Sequence, residues 1–460
     1  MPVYDFSDIR AKGEALVTSG GKAPGSEPLR ICLEKIDGDL STLETGDRLT
    51  PIQIMDIMCY IAEAVLAGGI RRAATICLFD ADDKDMLLSK KGKWWVHHGQ
   101  RAMANISAVI DKNLPEEVQL TQFMKVAGYI ERSKSGEPGF IFSWNLDMIF
   151  NPCVEASLPD MGFCNLTSVN VGDSPTLVEL KKRVYYASLL GTLQAGFTDF
   201  YYLRKEWREN AINDPLLGVS LTGIASLKDE EKYDWKALGE WAKEANIKIA
   251  KKIGINPASR VTAIKPEGTS SLVMGTSSGI HDWYGDFYKR RMELTKGDPL
   301  HLYLEKKIPK LLEDHYMKAN TVVLTIPVRA PEGARVRSEG KALELLDRVI
   351  RFNKTWVEGG HTSGDNKHNV SCTINYGKTE FWPLLNKIFI ERSSLSGVSV
   401  LPYDNGTYKM PPFEVCSEAE YEKLTKLVKE IDLTEVIEDE DLTTLSGEVA
   451  CGGGGGCEVT

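Results

Sequence analysis

The sequence lacks an apolar run long enough to cross a bilayer. Its most apolar stretch, Ile52 to Ile70, is interrupted by Asp56 and Glu63 and reads as a buried helix. The opening decapeptide, MPVYDFSDIR, has no apolar signal region. The expected location is therefore the cytoplasm, with no membrane partner. Basic tracts are missing too. Net charge is −10 and the pI about 5.4. That excludes the positive footprint of a protein that binds a nucleic-acid polymer. It does not exclude a single nucleotide, whose phosphates a few backbone amides can hold. No CxxC pair occurs, so no metal site is expected. Nine cysteines is an odd number. In a chain of this cytosolic character, that argues against structural disulfides and for reactive thiols wherever a Cys stands in an unusual setting.

What remains is ordinary globular composition. The 460 residues are 42% hydrophobic and 26% charged, enough to bury a large core. Thr50-Pro51 opens a helix through Met55, Met58, Ile61 and Val65, which Gly68 and Gly69 stop. Further helical patterns run from Val178 to Trp207, from Trp235 to Ile253 before Gly254, and from Ala342 to Val357. Strand-like pieces alternate with them: Arg71 to Phe79, Phe140 to Trp144, Thr167 to Val171, Arg260 to Ile264, Val322 to Ile326, Val370 to Ile374 and Val398 to Leu401. This alternation predicts an α/β fold with a largely parallel sheet or barrel. Ser417 and Glu420 form a capping box before a helix to about Ile431. An acidic stretch, Asp432 to Asp441, follows.

Three segments carry chemistry. Asn151-Pro152-Cys153-Val154-Glu155 sets an amide, a thiol and a carboxyl at alternate positions, with Cys164 nine residues further on. If the segment is extended, the three share one face. A lone Cys is most often a small core hydrophobe; this setting argues for more. The tail Cys451-Gly-Gly-Gly-Gly-Gly-Cys457 is a dithiol on a glycine linker, suited to thiol–disulfide exchange inside a pocket. A metal half-site and incidental thiols remain as alternatives. Lys265-Pro-Glu-Gly-Thr-Ser-Ser271, before Gly275-Thr-Ser-Ser-Gly279, permits a turn whose N–H groups converge on a phosphate, although polar turns of this kind are common. Trp94-Trp95 and His97-His98 read as a partly exposed aromatic cluster. Tyr185-Tyr186 and Tyr201-Tyr202 read as core packing.

Together these segments resemble a ribonucleotide reductase large subunit. NPCVEASLPDMGFCNLTSVNV resembles that family's finger loop, N-P-C-x-E followed by G-x-C-N-L-x-S. VTAIKPEGTSSLVMGTSSGIHDWYGDFYKRRM is similar to its phosphate-loop region. GGHTSGDNKHNVSCTINY, GVSVLPYDNGTYKMPPFE and the tail dithiol are closest to the adenosylcobalamin-dependent (class II), monomeric triphosphate-reducing branch. DFSDIRAKGEALVTSGGKAPGSEPL resembles the loop by which such enzymes sense an effector.

The resemblance implies a ten-stranded α/β barrel of the PFL-like type. Its N-terminal strands are expected to be missing here, because the family's first redox Cys has no counterpart upstream: Cys32, Cys59 and Cys77 stand in other contexts. The expected organisation is a barrel portion over 1–410, with an effector-type loop at 10–29, a finger loop at 151–164 and a phosphate loop at 265–279. A helical and acidic extension at 411–445 and a redox tail at 446–460 complete it.

The implied activity is allosterically controlled reduction of ribonucleoside triphosphates to deoxyribonucleotides for DNA synthesis. Cys153 would form the thiyl radical, Glu155 would act as base and Asn151 would orient the ribose. Cys164 would supply reducing equivalents, Cys451 and Cys457 would renew them, and a thioredoxin-type protein would renew the tail. Pro266, Gly268, Thr269, Ser270 and Ser271 would hold the phosphates. The implied cofactor is adenosylcobalamin, and an N-terminal companion polypeptide is an expected partner. Alternatives are diphosphate reduction, radical supply from a partner subunit, and a silent nucleotide-binding half. The sequence has neither the Arg-x-x-Gly-Tyr segment of glycyl-radical enzymes nor a late adjacent Tyr pair. His281, His361 and His368 lie in family-like segments and are given no role.

Overall fold

The computed structural model describes residues 3–14, 23–66, 74–315, 321–403 and 410–437. Eight segments lie side by side. Their spatial order is Asn165–Asn170, Leu217–Thr222, 260–264, 370–376, Gly397–Pro402, Gly139–Ser143, Ala104–Asp111 and Thr75–Asp80. The first five run parallel to one another, as do the last three. The two groups meet antiparallel where Gly397 and Val398 face Ile141 and Phe140. Among the described residues, the outer edges of Asn165–Asn170 and Thr75–Asp80 have no neighbouring strand. The expected α/β architecture is present, with eight such segments among the described residues.

Helices cover the outside and build one continuous core. Phe123, on helix Glu116–Ser133, stacks on Phe140 at 4.6 Å and meets Phe389 at 5.3 Å. Trp356 is fully buried, and its Nε1 donates to the Ala263 carbonyl at 3.0 Å. Helix Trp235–Ile253 ends at Gly254 with φ +79°, as the sequence predicts.

Three expectations need correction. The Val178 to Trp207 pattern is two helices, Leu177–Ala195 and Lys205–Asn213. The break lets Phe200 and Trp207 close on Phe163 of the reactive loop, at 4.8 and 4.9 Å. Tyr186, Tyr201 and Tyr202 are exposed rather than core, because the first helix buries its Leu180–Val184–Ala187 face and the second pair lies in the break. Helix Pro51–Leu66 has Thr50 as its cap, with Gln53 N donating to Thr50 Oγ1 at 3.3 Å. It buries Met55, Cys59 and Ala62, however, and leaves Met58, Ile61 and Val65 exposed.

Val322 to Ile326 belongs to a second, antiparallel sheet. There Thr321–Arg329 lies between Phe287–Thr295 and Leu312–Asp314, and Phe413–Val415 edges the far side. A strand's own pattern does not reveal which sheet it joins. Helix Glu418–Val428 packs against this sheet, capped by Ser417 Oγ, which accepts from Glu420 N.

Candidate active site

Residues 151–155 are not extended. Ile149–Phe150 and Ser157–Leu158 pair antiparallel, and 151–156 is the turn between them. Asn151 N donates to the Ala156 carbonyl at 3.1 Å, and Val154 N donates to the Asn151 carbonyl at 2.8 Å. Val154 takes φ +63°, a conformation that β-branched residues rarely adopt. Surrounding side chains hold it there. Asn105 Nδ2 donates to the Pro152 carbonyl at 2.8 Å. Asn369 N and Nδ2 donate to the carbonyls of Glu155 and Val154 at 2.9 and 3.1 Å. Gly397 lies so close that a Cβ there would fall 2.6 Å from Val154 Cγ1. Alternation therefore does not explain the clustering of Asn151 and Glu155; the turn brings them together. Cys153 sits half-buried at its tip.

Asn151 Oδ1 accepts from Ala156 N at 2.8 Å, which leaves the amide nitrogen side of Asn151 toward Glu155. Glu155 is buried, and burial raises its carboxyl pKa above 4.5; the Asn151 hydrogen bond and the Lys265 charge oppose this, and Glu267 reinforces it. Its Oε2 is buried without a hydrogen-bond partner among the described residues. Such an acceptor is costly unless a ligand completes it.

Cys164 immediately precedes the open-edged strand Asn165–Asn170. Its thiol is pushed up by burial first and by the Glu155 charge second. His368 Nε2 lies 4.0 Å from Cys164 Sγ and 2.7 Å from the Leu217 carbonyl, while Nδ1 accepts from Ser157 N at 3.1 Å. Those partners put the ring hydrogen on Nε2 and keep the imidazole neutral. Burial lowers its pKa to about 3. The neighbour of Cys164 is thus an uncharged ring, which does not favour a thiolate. At Gly218 a Cβ would stand 2.3 Å from Leu166 Cδ2 and 3.2 Å from Cys164 Sγ, so only glycine leaves this room.

The phosphate-loop segment flanks this cluster. Lys265 Nζ reaches Ser168 Oγ at 3.3 Å and Glu267 Oε2 at 3.6 Å. Ser168 and Ser270 both donate to the Glu267 carboxylate. Ser271 is buried, its hydroxyl 3.0 Å from that of Ser278. Thr269 is exposed, and Ser270, Gly268 and Pro266 are half-buried. Among the described residues, the amides of Gly268, Thr269 and Ser270 have no backbone acceptor.

A cavity of about 590 Å³ adjoins this loop at Gly268 and Ser271. Trp95, Trp283, Tyr284 and Tyr403 supply flat walls. Lys90, also in the wall, donates to the Ala104 carbonyl, one residue before the Asn105 that holds Pro152. The cavity and the loop tip are thereby tied to the same strand end.

Asn151, Glu155 and Cys164 thus share one cluster with Lys265 and Glu267, in which the two carboxylates are buried and the other three side chains half-buried. The sequence reading gave His368 no role, and Asn369, Asn105 and Gly218 escaped it. Each lies far along the chain from the motif it supports. Cys451, Cys457 and residues 15–22 of the effector-type loop lie outside the described residues. Among the described residues, no group of three or more His, Cys, Asp or Glu is placed to hold a metal ion, and no helix is long and apolar enough to cross a membrane.

No protein-family model matches the chain. The adenosylcobalamin-dependent ribonucleoside-triphosphate reductase of Euglena gracilis is 27% identical over 457 residues, covering 93% of this chain and 59% of the relative. The enzyme of that name from Lactobacillus acidophilus is 27% identical over 521 residues, covering 98% and 65%. The chain therefore spans less than two thirds of the length of these relatives. A crystal structure of a B12-dependent (class II) ribonucleotide reductase superposes with a TM-score of 0.74 at 23% identity, over 94% of this chain and 63% of that one. In sequence and in fold, the chain is homologous to part of the adenosylcobalamin-dependent ribonucleoside-triphosphate reductases.

Proposed function

We propose that this chain supplies the reacting residues of an adenosylcobalamin-dependent ribonucleoside-triphosphate reductase acting in the cytoplasm. The observation that carries the reading is the clustering of Asn151 and Cys164 around the buried Glu155 beside Lys265 to Ser271, with Glu155 Oε2 an unfilled acceptor among the described residues. Cys153, as a thiyl radical, takes the 3′ hydrogen of the ribose and returns it to C3′ once C2′ has been reduced, which restores the thiyl. Glu155 accepts the 3′ hydroxyl proton, which promotes loss of the 2′ hydroxyl as water. Asn151 fixes the ribose by a hydrogen bond. Cys164 and a second thiol each give one hydrogen equivalent and end as a disulfide. Cys451 and Cys457 exchange with that disulfide, and a thioredoxin-type dithiol restores them. The free amides of Gly268, Thr269 and Ser270 hold the substrate phosphates, with Pro266 fixing the turn and Ser271 packing beneath it.

The aromatic walls of the cavity that adjoins Gly268 and Ser271 would suit a large, flat, mixed-polarity group such as this cofactor. When bound, it supplies radical equivalents by homolysis of its cobalt–carbon bond. A second reading is favoured by the two open strand edges. In it the chain is inert until an N-terminal companion adds the remaining strands and the second thiol. Diphosphates remain an alternative substrate.

The test mixes the chain with adenosylcobalamin, a ribonucleoside triphosphate or diphosphate and dithiothreitol, with and without a polypeptide spanning the part of the relatives it does not match. Deoxynucleotide formation, lost in Cys153→Ala, supports the reading. Cys457→Ala should retain turnover with dithiothreitol and lose it with thioredoxin. No product under either condition would sink the catalytic proposal.

A further inference from the structure

His368 is a buried titratable group that the proposed reaction does not use. It joins three elements. Ser157 N, on the returning strand of the Cys153 hairpin, donates to Nδ1 at 3.1 Å. Nε2–H donates to the Leu217 carbonyl at 2.7 Å, at the start of strand Leu217–Thr222. That strand lies beside Asn165–Asn170, which follows Cys164, and Nε2 stands 4.0 Å from Cys164 Sγ. The next residue, Asn369, donates to the carbonyls of Glu155 and Val154 at 2.9 and 3.1 Å. Residues 368 and 369 therefore clamp the tip and the return strand of the hairpin to the strand pair that carries the thiol.

The hydrogen of the ring is already spent. The Leu217 carbonyl takes Nε2–H at full hydrogen-bond distance, so the more distant sulfur receives no strong donor. A thiolate is favoured by a donor or by positive charge, and the ring offers neither. Arg260 and His361 face the imidazole and oppose a charge on it. Around the thiol itself burial is the largest influence; Glu155 and Asp214 also disfavour the thiolate, while Arg260 and Lys265 favour it. The adjoining backbone is fixed independently, since Asn165 N and Nδ2 both donate to the Leu216 carbonyl at 2.9 Å. What His368 settles is the side chain of Cys164.

We propose that His368 is a positioning residue for Cys164: its neutral ring, braced between Ser157 N and the Leu217 carbonyl, sets where the sulfur stands against the Cys153 hairpin and keeps it as S–H. The proposal rests on the reading of Cys164 as a hydrogen-donating thiol. A carboxamide can reproduce both bonds, accepting through oxygen and donating through nitrogen; a hydrocarbon reproduces neither.

Alkylation of the purified chain with iodoacetamide across a pH series, read peptide by peptide by mass spectrometry, reports the thiolate at each cysteine. Cys59, fully buried on helix Pro51–Leu66, reports global unfolding in the same digest. In the parent chain, modification of Cys164 should climb to about pH 10 without levelling, because the thiol is held above the ordinary 9.0. His368→Gln should follow the parent within about twofold throughout. His368→Leu should speed Cys164 about tenfold or more at about pH 8 and level off near 9.0, while Cys59 stays slow. An unchanged or slower Cys164 in His368→Leu, or a His368→Gln that shifts as far as His368→Leu, overturns the proposal. If His368→Leu does not fold, His368→Asn, whose amide is too short to bridge Ser157 and Leu217, takes its place with the same outcomes. A rise of Cys59 together with Cys164 in both would make His368 a residue of the fold as a whole and overturns the proposal equally. The readout is thiol chemistry, not turnover, so its failure is distinct from a failure of the catalytic reading.

Discussion

Glu155 shows what a buried carboxyl costs its host. Its folded pKa is raised, so ionisation is easier in the unfolded chain. Stability attributable to this residue therefore falls as pH rises above about 4.5, the ordinary value. Glu155→Gln should melt at a higher temperature than the parent at pH 7, and at the same temperature below about pH 4. Turnover in the same variant should drop by about 10²–10⁴-fold, the usual contribution of a general base. His368 has the opposite chemistry. Its imidazole pKa is lowered to about 3 from 6.5, so stability is lost as pH falls from 6.5 toward 3, where only the unfolded chain binds the proton. Denaturant titrations across that window should show a flatter acid limb for His368→Gln. An unchanged limb would mean that other groups set it. The sequence points to Asn151, Cys153, Glu155 and Cys164 because they fall within one short motif. His368 and Asn369 are invisible to such reading. They are polar residues in a loop, and only the fold carries them back to Ser157 and Glu155 across more than 200 positions.

Helix Pro51–Leu66 is fastened by charge as well as by its apolar face. Arg101 forms a two-pronged pair with Asp56, at 2.8 and 2.7 Å, and also donates to the Ser89 carbonyl at 2.7 Å. Both side chains are under 10% exposed. Asp56→Ala would leave a buried guanidinium unpaired, and chemical unfolding should show a loss of about 3–5 kcal/mol. Replacing both residues with apolar ones of similar volume should recover most of it. Element ends were legible where local chemistry sets them, as at Thr50, Gly254 and Ser417. Partners were not. The helical period from Val178 to Trp207 continues through the break because Phe200 and Trp207 are apolar for a different reason, their contact with Phe163. The face that helix Pro51–Leu66 buries was misread because its outer stripe is as apolar as its inner one.

At the scale of the whole molecule the dominant fact is a wall of eight segments whose two edges have no neighbouring strand among the described residues. Amides on the outer side of Asn165–Asn170 and Thr75–Asp80 should exchange with deuterium far faster than those of Ala104–Asp111, which has a strand on each side. Adding the companion polypeptide should protect both edges together. Protection of neither would show that the gap is not where that partner binds. The α/β alternation of the barrel was readable from the order of helices and strands. The antiparallel side sheet was not, since its strands carry the same alternating pattern.

Gly397 and Asn369 also fix when, during synthesis, the reactive turn can take shape. The strained Val154 backbone is held by groups 215 and 243 positions later in the chain. A ribosome that has just released Cys153 has not yet made them. Local sequence gives Val154 no reason to adopt φ +63° unaided, so the thiol stays unplaced until nearly 400 residues have emerged. A nascent or prematurely ended chain would carry every residue of the motif and none of its geometry. Assembly order thereby withholds the geometry of the proposed reaction from an unfinished protein.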